Sequence, residues 1–374
     1  MISNPFLLYS IVWLAVLFFY NLNISELYPK LTLNTYIFIF ITVFLNFLIG
    51  IIFNKKIKRR IRKFNTNNKM KKYKLLLVLF FGFLDFYYAK SVPLLMILLK
   101  KNYSYLEFHG IPIFHGFLLS YTFYFALCSF YDYLKTKNKF YFFQVIVSFL
   151  FPMLSYSRAY CLLIICGILM LFLIYKNKLR YIFISIFIGI FLLYGFGVAG
   201  NIRHYYKWDD SSMIKKIAKI NVKKTKCDPI FWGYVYLTSP VGNLQNNINY
   251  NNNIKDLKTL LSNNFLISTI NKKIIKKSTN PKLMVSNLNV GTMFMQPYIS
   301  FGFLGMYFIG FSYIFFNILY LKILKNNSYF IIGIVILSLI NVFSCFNNMY
   351  TVAGVGTTLI YPILENLKFN KKGE

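Results

Sequence analysis

The chain has 374 residues, of which 57% are hydrophobic and 20% aromatic, and its formal net charge is +32. The apolar residues fall in blocks of about 17 to 24 and do not alternate with polar ones, which excludes a soluble globular domain and a β-barrel and specifies a polytopic membrane protein of the all-α class. So large a charge raises nucleic acid as a partner, but the basic residues are divided among loops by membrane side, a pattern nucleic-acid binding does not require, and none is expected.

Ten spans fit the apolar blocks: residues 5–20, 35–53, 75–99, 111–131, 140–155, 159–175, 181–199, 300–321, 329–346 and 351–364, the last shortened by Pro362 and Glu365. The first has no basic region before it and is followed by Asn-Leu-Asn-Ile-Ser in place of a small-residue cleavage site, so a retained helix is expected and not a signal peptide. Residues 54–74 carry eleven Lys and Arg with no acid, and with the other short loops on that side the total reaches twenty-two, against four (Lys30, Lys100, Lys101 and Arg158) on the opposite side. The positive-inside rule then places both termini and the 54–74 loop in the cytoplasm of a multi-pass plasma-membrane protein. Three regions follow: 1–199 with seven spans, 200–290 as one large exterior loop, and 291–374 with three spans and a cytoplasmic tail.

The large loop holds 15 basic and 4 acidic residues. Loops longer than about 60 residues translocate regardless of charge, so this does not reverse the orientation. Solvated lysines from an AT-rich gene account for most of them, and an anionic partner is expected only for a few. Residues 200–221 extend the seventh span and carry Arg203, His204, Tyr205, Tyr206, Lys207, Asp209 and Asp210. Residues 229–237 are too short to span and too apolar for water, so a dip into the headgroup region is expected. The Asn-rich run 243–253 reads as a flexible linker. In 254–277, Ile254, Leu257, Leu261 and Phe265 recur at helical spacing, which fits a helix along the membrane boundary or a lid packed on other loops.

Four of the five cysteines (Cys128, Cys161, Cys166 and Cys345) lie in apolar runs and one, Cys227, in the loop, so neither a disulfide within that loop nor a Cys-x-x-Cys metal site is expected. No Gly-x-x-x-x-Gly-Lys-Ser/Thr loop, dinucleotide fingerprint or His-Glu-x-x-His occurs, and Glu26 has no second acid at metal-binding spacing. Neither cofactor nor metal is expected. An activated lipid-linked donor would remove the need for both.

Charged residues at span edges are costly and come first as candidates. Arg158 sits in the turn Ser155-Tyr156-Ser157-Arg158, and Arg203 opens the large loop just after a span; both fall at the exterior surface, at the depth of a lipid phosphate. A guanidinium keeps its charge and offers a planar fork to phosphate oxygens, which lysine cannot imitate. An interfacial anchor to phospholipid is the plain alternative. Residues 105–115 enter the fourth span from outside, with Glu107 in the loop and His115 one turn into a helix begun by Pro112. A carboxylate or imidazole at such a place can take a proton from a hydroxyl, though a histidine at a span edge also serves structure. Asp85 and Lys90, in the third span, are expected to pair structurally.

Three stretches carry a family resemblance: Ser91-Val92-Pro93-Leu94-Leu95 with residues 105–115, Ser157-Arg158-Ala159, and Asn289-Val290-Gly291-Thr292 leading to Tyr298 and Phe301-Gly302-Phe303-Leu304-Gly305. They resemble the bacterial O-antigen polymerases, over nearly the whole chain. Where many members have Asp-Phe-Gly before the eighth span, this chain has Ser300-Phe301-Gly302, and an Arg-x10-Gly pattern of some members is not matched at Arg158, Arg180 or Arg203. The resemblance implies a bundle similar to membrane-embedded, lipid-donor (GT-C-like) glycosyltransferases. It also implies polymerisation of undecaprenyl-diphosphate-linked oligosaccharide repeat units at the periplasmic face of the inner membrane, in lipopolysaccharide O-antigen biosynthesis. The expected catalytic residues are Arg158 and Arg203 on diphosphate, with His115 or Glu107 on the acceptor. His204, Tyr206, Lys207 and Tyr298 are the expected substrate-binding residues. The lipid-linked oligosaccharide, membrane lipid and a chain-length regulator protein are the expected partners. An O-antigen ligase and a repeat-unit flippase are the alternative functions; the flippase would call for two similar halves, central charges and short loops.

Overall fold

The computed structural model describes residues 3–63, 72–99, 108–176, 178–205, 210–220, 229–266, 271, 280–352 and 354–370. Among them the secondary structure is helical, and the β-type pairing is confined to one isolated bridge between Ser25 and Ile220. The helices are α1 (Pro5–Tyr20), α2 (Leu33–Lys63), α3 (Lys72–Ala89), α4 (Pro93–Leu98), α5 (Phe114–Thr136), α6 (Lys139–Leu154), α7 (Arg158–Lys176) and α8 (Leu179–Tyr205). There follow α9 (Ser212–Ile217), α10 (Ile230–Asn249), α11 (Leu257–Phe265), α12 (Met295–Ile323), α13 (Phe330–Val342) and α14 (Ile360–Asn370). Among the described residues, four helical stretches are long and apolar enough to cross a membrane: 33–61, 158–176, 180–198 and 295–326. Shorter apolar helices cover 5–20, 139–154 and 330–345.

Local sequence explains where these helices begin and stop. Asn4 caps α1 by accepting from the N–H groups of Phe6 and Leu7, with Pro5 in the first turn, where its missing N–H costs nothing. Lys137 ends α5 in the left-handed conformation (φ 59°), and Asn138 caps α6 by accepting from Phe140 N at 2.9 Å, so two residues suffice for the hairpin. Burial then sorts most of the helices into two groups, beside a smaller third cluster where Ile214 of α9 meets Trp232 and Val235 of α10. One core gathers α3, α5, α6, α7 and α13 around Tyr124, Phe125, Leu127 and Val335. The other gathers α1, α2, α10 and α12 around Trp13, Phe38, Phe294 and Met306. α13 packs on α1 and on α7, joining the two. α8 keeps Phe183, Phe187 and Phe191 exposed, as a helix facing lipid does.

Several boundaries differ from those read in the sequence. The third span does not run to residue 99: α3 stops at Ala89, Lys90 turns through φ 50°, and the short α4 follows. The helix of the fourth expected span, α5, starts at Phe114 and not at Pro112, because Ile113 takes φ 68°. Residues 351–364 do not form one helix; turns and a 3-10 segment (Gly356–Leu359) lead into α14. α8 continues through Tyr205, beyond the expected end of the seventh span.

The long segment 200–290 differs most. Residues 229–237 do not dip alone into headgroups; they begin the twenty-residue α10, whose Val241 and Leu244 pack into the second core. The Asn-rich run is not a flexible linker. Asn243, Gln245 and Asn247 are fully buried on α10. Asn243 Nδ2 donates to Leu288 O (2.6 Å) and Val290 O (2.8 Å), and its Oδ1 accepts from Met284 N at 3.0 Å. Asn247 Oδ1 accepts from Lys282 N at 2.9 Å, and Gln245 Oε1 accepts from Thr35 Oγ1 at 2.7 Å, tying α10 to the start of α2. A carboxamide is both donor and acceptor, so Asn243 and Asn247 stand in for backbone partners along segment 280–290.

The next element is a helix over Leu257–Phe265 alone, with Ile254 extended and its N–H donating to Ile299 O at 2.9 Å; residues 267–270 and 272–279 lie outside the described set. α11 turns Leu260 and Asn264 inward and leaves Leu257, Leu261 and Phe265 exposed. Phe265 also meets Phe308 on the exposed side of α12, so the apolar stripe of α11 runs on into exposed rings of α12.

Candidate functional site

Asp85 lies one turn before the end of α3 and is completely buried. The expected Asp85–Lys90 pair does not form, since Lys90 sits exposed in the turn after the helix. The carboxylate faces α5 instead. Its Oδ2 is 2.7 Å from His115 Nδ1, and its Oδ1 accepts from Ile111 N at 2.9 Å. Gly110 lies directly over it; a Cβ there would come within 2.6 Å of Oδ1. The loop before α5 is thus folded onto the acid.

His115 is the second residue of α5, its backbone N–H bonded to Ile111 O at 2.9 Å. Its ring meets Phe108 edge-on (5.3 Å between centroids) and Phe151 of α6 at 6.2 Å, and its side chain is 24% exposed. Facing a carboxylate, Nδ1 carries the proton, which leaves Nε2 as the acceptor of the neutral ring. Two aromatic walls, a buried orienting acid and a partly exposed ring are what a proton-accepting imidazole needs.

Arg158 opens α7 at the same end of the bundle. The turn before it puts Tyr156 at φ 58°, and the exposed guanidinium lies over the Tyr156 ring at 4.6 Å from its centroid. That contact orients the planar group. Gly354, with φ 90°, sits between the first turns of α5 and α7: a Cβ there would collide with both the Tyr160 hydroxyl and Gly116 O. A side chain at 354 would separate the two turns that carry His115 and Arg158.

Arg203 and His204 belong to the last turn of α8, their side chains outside the described set, and Glu107, Tyr206 and Lys207 lie outside the described residues. Just before them Asn201 is anchored: its Oδ1 accepts from Trp232 Nε1 at 2.7 Å and its Nδ2 donates to Ser211 Oγ at 2.9 Å. Tyr298 belongs to the second core, where it is buried, packs edge-on against Phe303 and donates to Ile248 O at 3.4 Å. It is not brought together with His115. Asp85 is the site residue that sequence reasoning passed over as structural. Its signal was that of any lone acid in an apolar span, a cost retained only with a partner.

At this end of the bundle, then, an oriented imidazole and a stacked guanidinium stand on adjacent helices, able to remove a proton and to hold an anion. Comparison with protein-family models, with curated proteins and with solved structures found no match.

Proposed function

We propose that the chain is a membrane-embedded glycosyltransferase of the O-antigen polymerase type, joining undecaprenyl-diphosphate-linked oligosaccharide repeat units at the outer face of a bacterial inner membrane. The observation that carries this reading is the contact between Asp85 and His115 beside the turn that presents Arg158.

In this reaction the acceptor's terminal hydroxyl oxygen attacks the donor's anomeric carbon. A new carbon–oxygen bond forms, and the bond to undecaprenyl diphosphate breaks, its electron pair leaving with the diphosphate. The hydroxyl proton passes to His115 Nε2. Asp85 keeps the ring in the tautomer that can accept it and stabilises the imidazolium that results. Charge grows on the departing diphosphate, and Arg158 answers it with two parallel donors. Arg203, on the last turn of α8, supplies the second cation. The sugar-nucleotide and metal chemistry of soluble transferases is not called for, because the diphosphate lipid already activates the donor.

The test is a lipopolysaccharide gel of a strain lacking the chain. A core carrying a single repeat unit is the expected product. Bare core would assign the chain to ligation, and unchanged ladders would remove it from this pathway.

A further inference from the structure

A second polar group lies between α1, α2, α12 and α13, and the reaction above uses none of it. Tyr9, Thr42, Asn46, Asn317 and Asn341 line a cavity of about 10 Å³ there, beside Phe294 and Gly310. On that measure a single water needs roughly 10 to 15 Å³.

Asn341 is 3% exposed, and only one end of its carboxamide is used. Its Oδ1 accepts from Asn317 Nδ2 at 3.2 Å and from the Tyr350 hydroxyl at 3.0 Å. Its Nδ2 is buried without a protein partner. Turning the amide over would set two NH2 groups face to face, so Asn317 fixes this orientation. Within the span of a membrane an amide donor left bare loses its whole solvation.

The lining also defines the occupant. The unsatisfied group is a donor, so the occupant must accept, which removes a cation. No basic side chain lines the cavity, which removes an anion. Apolar chains cannot accept a hydrogen bond. We propose that this cavity binds one water molecule, accepting from Asn341 Nδ2 and donating toward the Asn46 and Tyr9 oxygens. Asn46 already spends its Nδ2 on Thr42 O at 2.8 Å, and the Tyr9 hydroxyl donates to Thr42 Oγ1 at 3.3 Å, so each keeps an oxygen lone pair for the water. The water thereby links α1, α2 and α13, and α12 joins them through the bond from Asn317 Nδ2 to Asn341 Oδ1.

Gly310→Ala provides the test. A Cβ at 310 would stand 3.4 Å from Thr42 Cγ2 and 3.6 Å from Phe294 Cε1, ordinary contact distances between two residues that line the cavity. In a dry hole the methyl fills empty space and removes a helical glycine, and the melting temperature of the full chain in nanodiscs rises. Over a bound water it evicts the water and strands Asn341 Nδ2. The expected result is no rise, and a fall of about 2 °C or more. In an Asn341→Leu background, with no donor to strand, the same change no longer lowers the melting temperature. A rise for Gly310→Ala alone overturns the proposal. If that variant does not assemble, a high-resolution map of the unaltered protein decides: a density peak within hydrogen-bonding distance of Asn341 Nδ2 is expected, and a featureless cavity or elongated lipid density overturns it.

Discussion

Asp85 Oδ2 and His115 Nδ1, thirty residues apart in the chain, stand 2.7 Å apart where α3 passes the first turn of α5. The acid also holds Ile111 N, so one carboxylate sets both the ring and the loop that leads to it. Asp85→Asn keeps the volume and an oxygen for Ile111 but offers Nδ1 an NH2 group, which favours the other tautomer and occupies Nε2 with the proton. The expected loss in polymerisation rate is about 100-fold to 10,000-fold. His115→Gln is expected to fall in the same range, and the double variant no further, because the pair acts as a unit. Initial rates of the three variants check this; an additive double variant contradicts it.

At Arg158 the fork matters as well as the charge. Arg158→Lys is expected to slow polymerisation about 100-fold and Arg158→Ala to slow it more, with the protein still inserted in the membrane. Immunoblots of membranes alongside lipopolysaccharide ladders separate the two quantities. Normal ladders from Arg158→Ala would return this residue to a lipid anchor.

Gly354 holds the two first turns together without contributing a side chain. Gly354→Ala places a methyl against the Tyr160 hydroxyl and Gly116 O at a backbone angle, φ 90°, that alanine avoids. Strain of this kind costs about 1–3 kcal/mol. Both the melting temperature and the polymerisation rate are expected to fall, and a variant unchanged in both would show that the turns do not depend on this contact.

The fold of segment 280–290 depends on α10. Asn243→Ala strands Leu288 O, which is buried, and Val290 O and Met284 N, which are half-buried; a fully buried group costs about 1–3 kcal/mol when left unpaired, and a half-buried one less. New protease cleavage between residues 280 and 290, with the membrane helices intact, is the expected outcome. A protected segment would mean that the asparagine clamp is not what holds it.

Asp256 caps α11 by accepting from Lys258 N, Thr259 N and the Thr259 hydroxyl, and these bonds, the Thr259 hydroxyl foremost, hold its carboxyl below the usual carboxylate value. A depressed folded value means that the cap's contribution is present above the unfolded value, near 3.9, and is lost as pH falls through the folded one. Amide exchange in α11 is expected to accelerate in that acid window, and Asp256→Asn to remove the dependence while keeping part of the cap.

The helical class and most helix positions were legible because apolar runs at membrane length admit few other solutions. The boundaries that failed turned on single backbone angles: Lys90 at φ 50° and Ile113 at φ 68° end or delay helices at residues whose type gives no warning. Asn243 and its neighbours were unreadable for a different reason. Composition marks an asparagine run as loose, whereas its order comes from a distant segment, 280–290, which periodicity does not reveal. His115 and Arg158 could be singled out from charge at span edges. Asp85 could be seen as costly, yet its partner was set by how α3 and α5 pack, and Lys90 was merely closer in sequence.

The most direct test is reconstitution of the purified chain in liposomes with undecaprenyl-diphosphate-linked repeat units as sole substrate and no metal or nucleotide. The account predicts a ladder of lengthened oligosaccharides and release of undecaprenyl diphosphate, both lost in His115→Gln and in Arg158→Ala. Repeat units left unjoined by the intact chain, or joined equally well by those two variants, would contradict it.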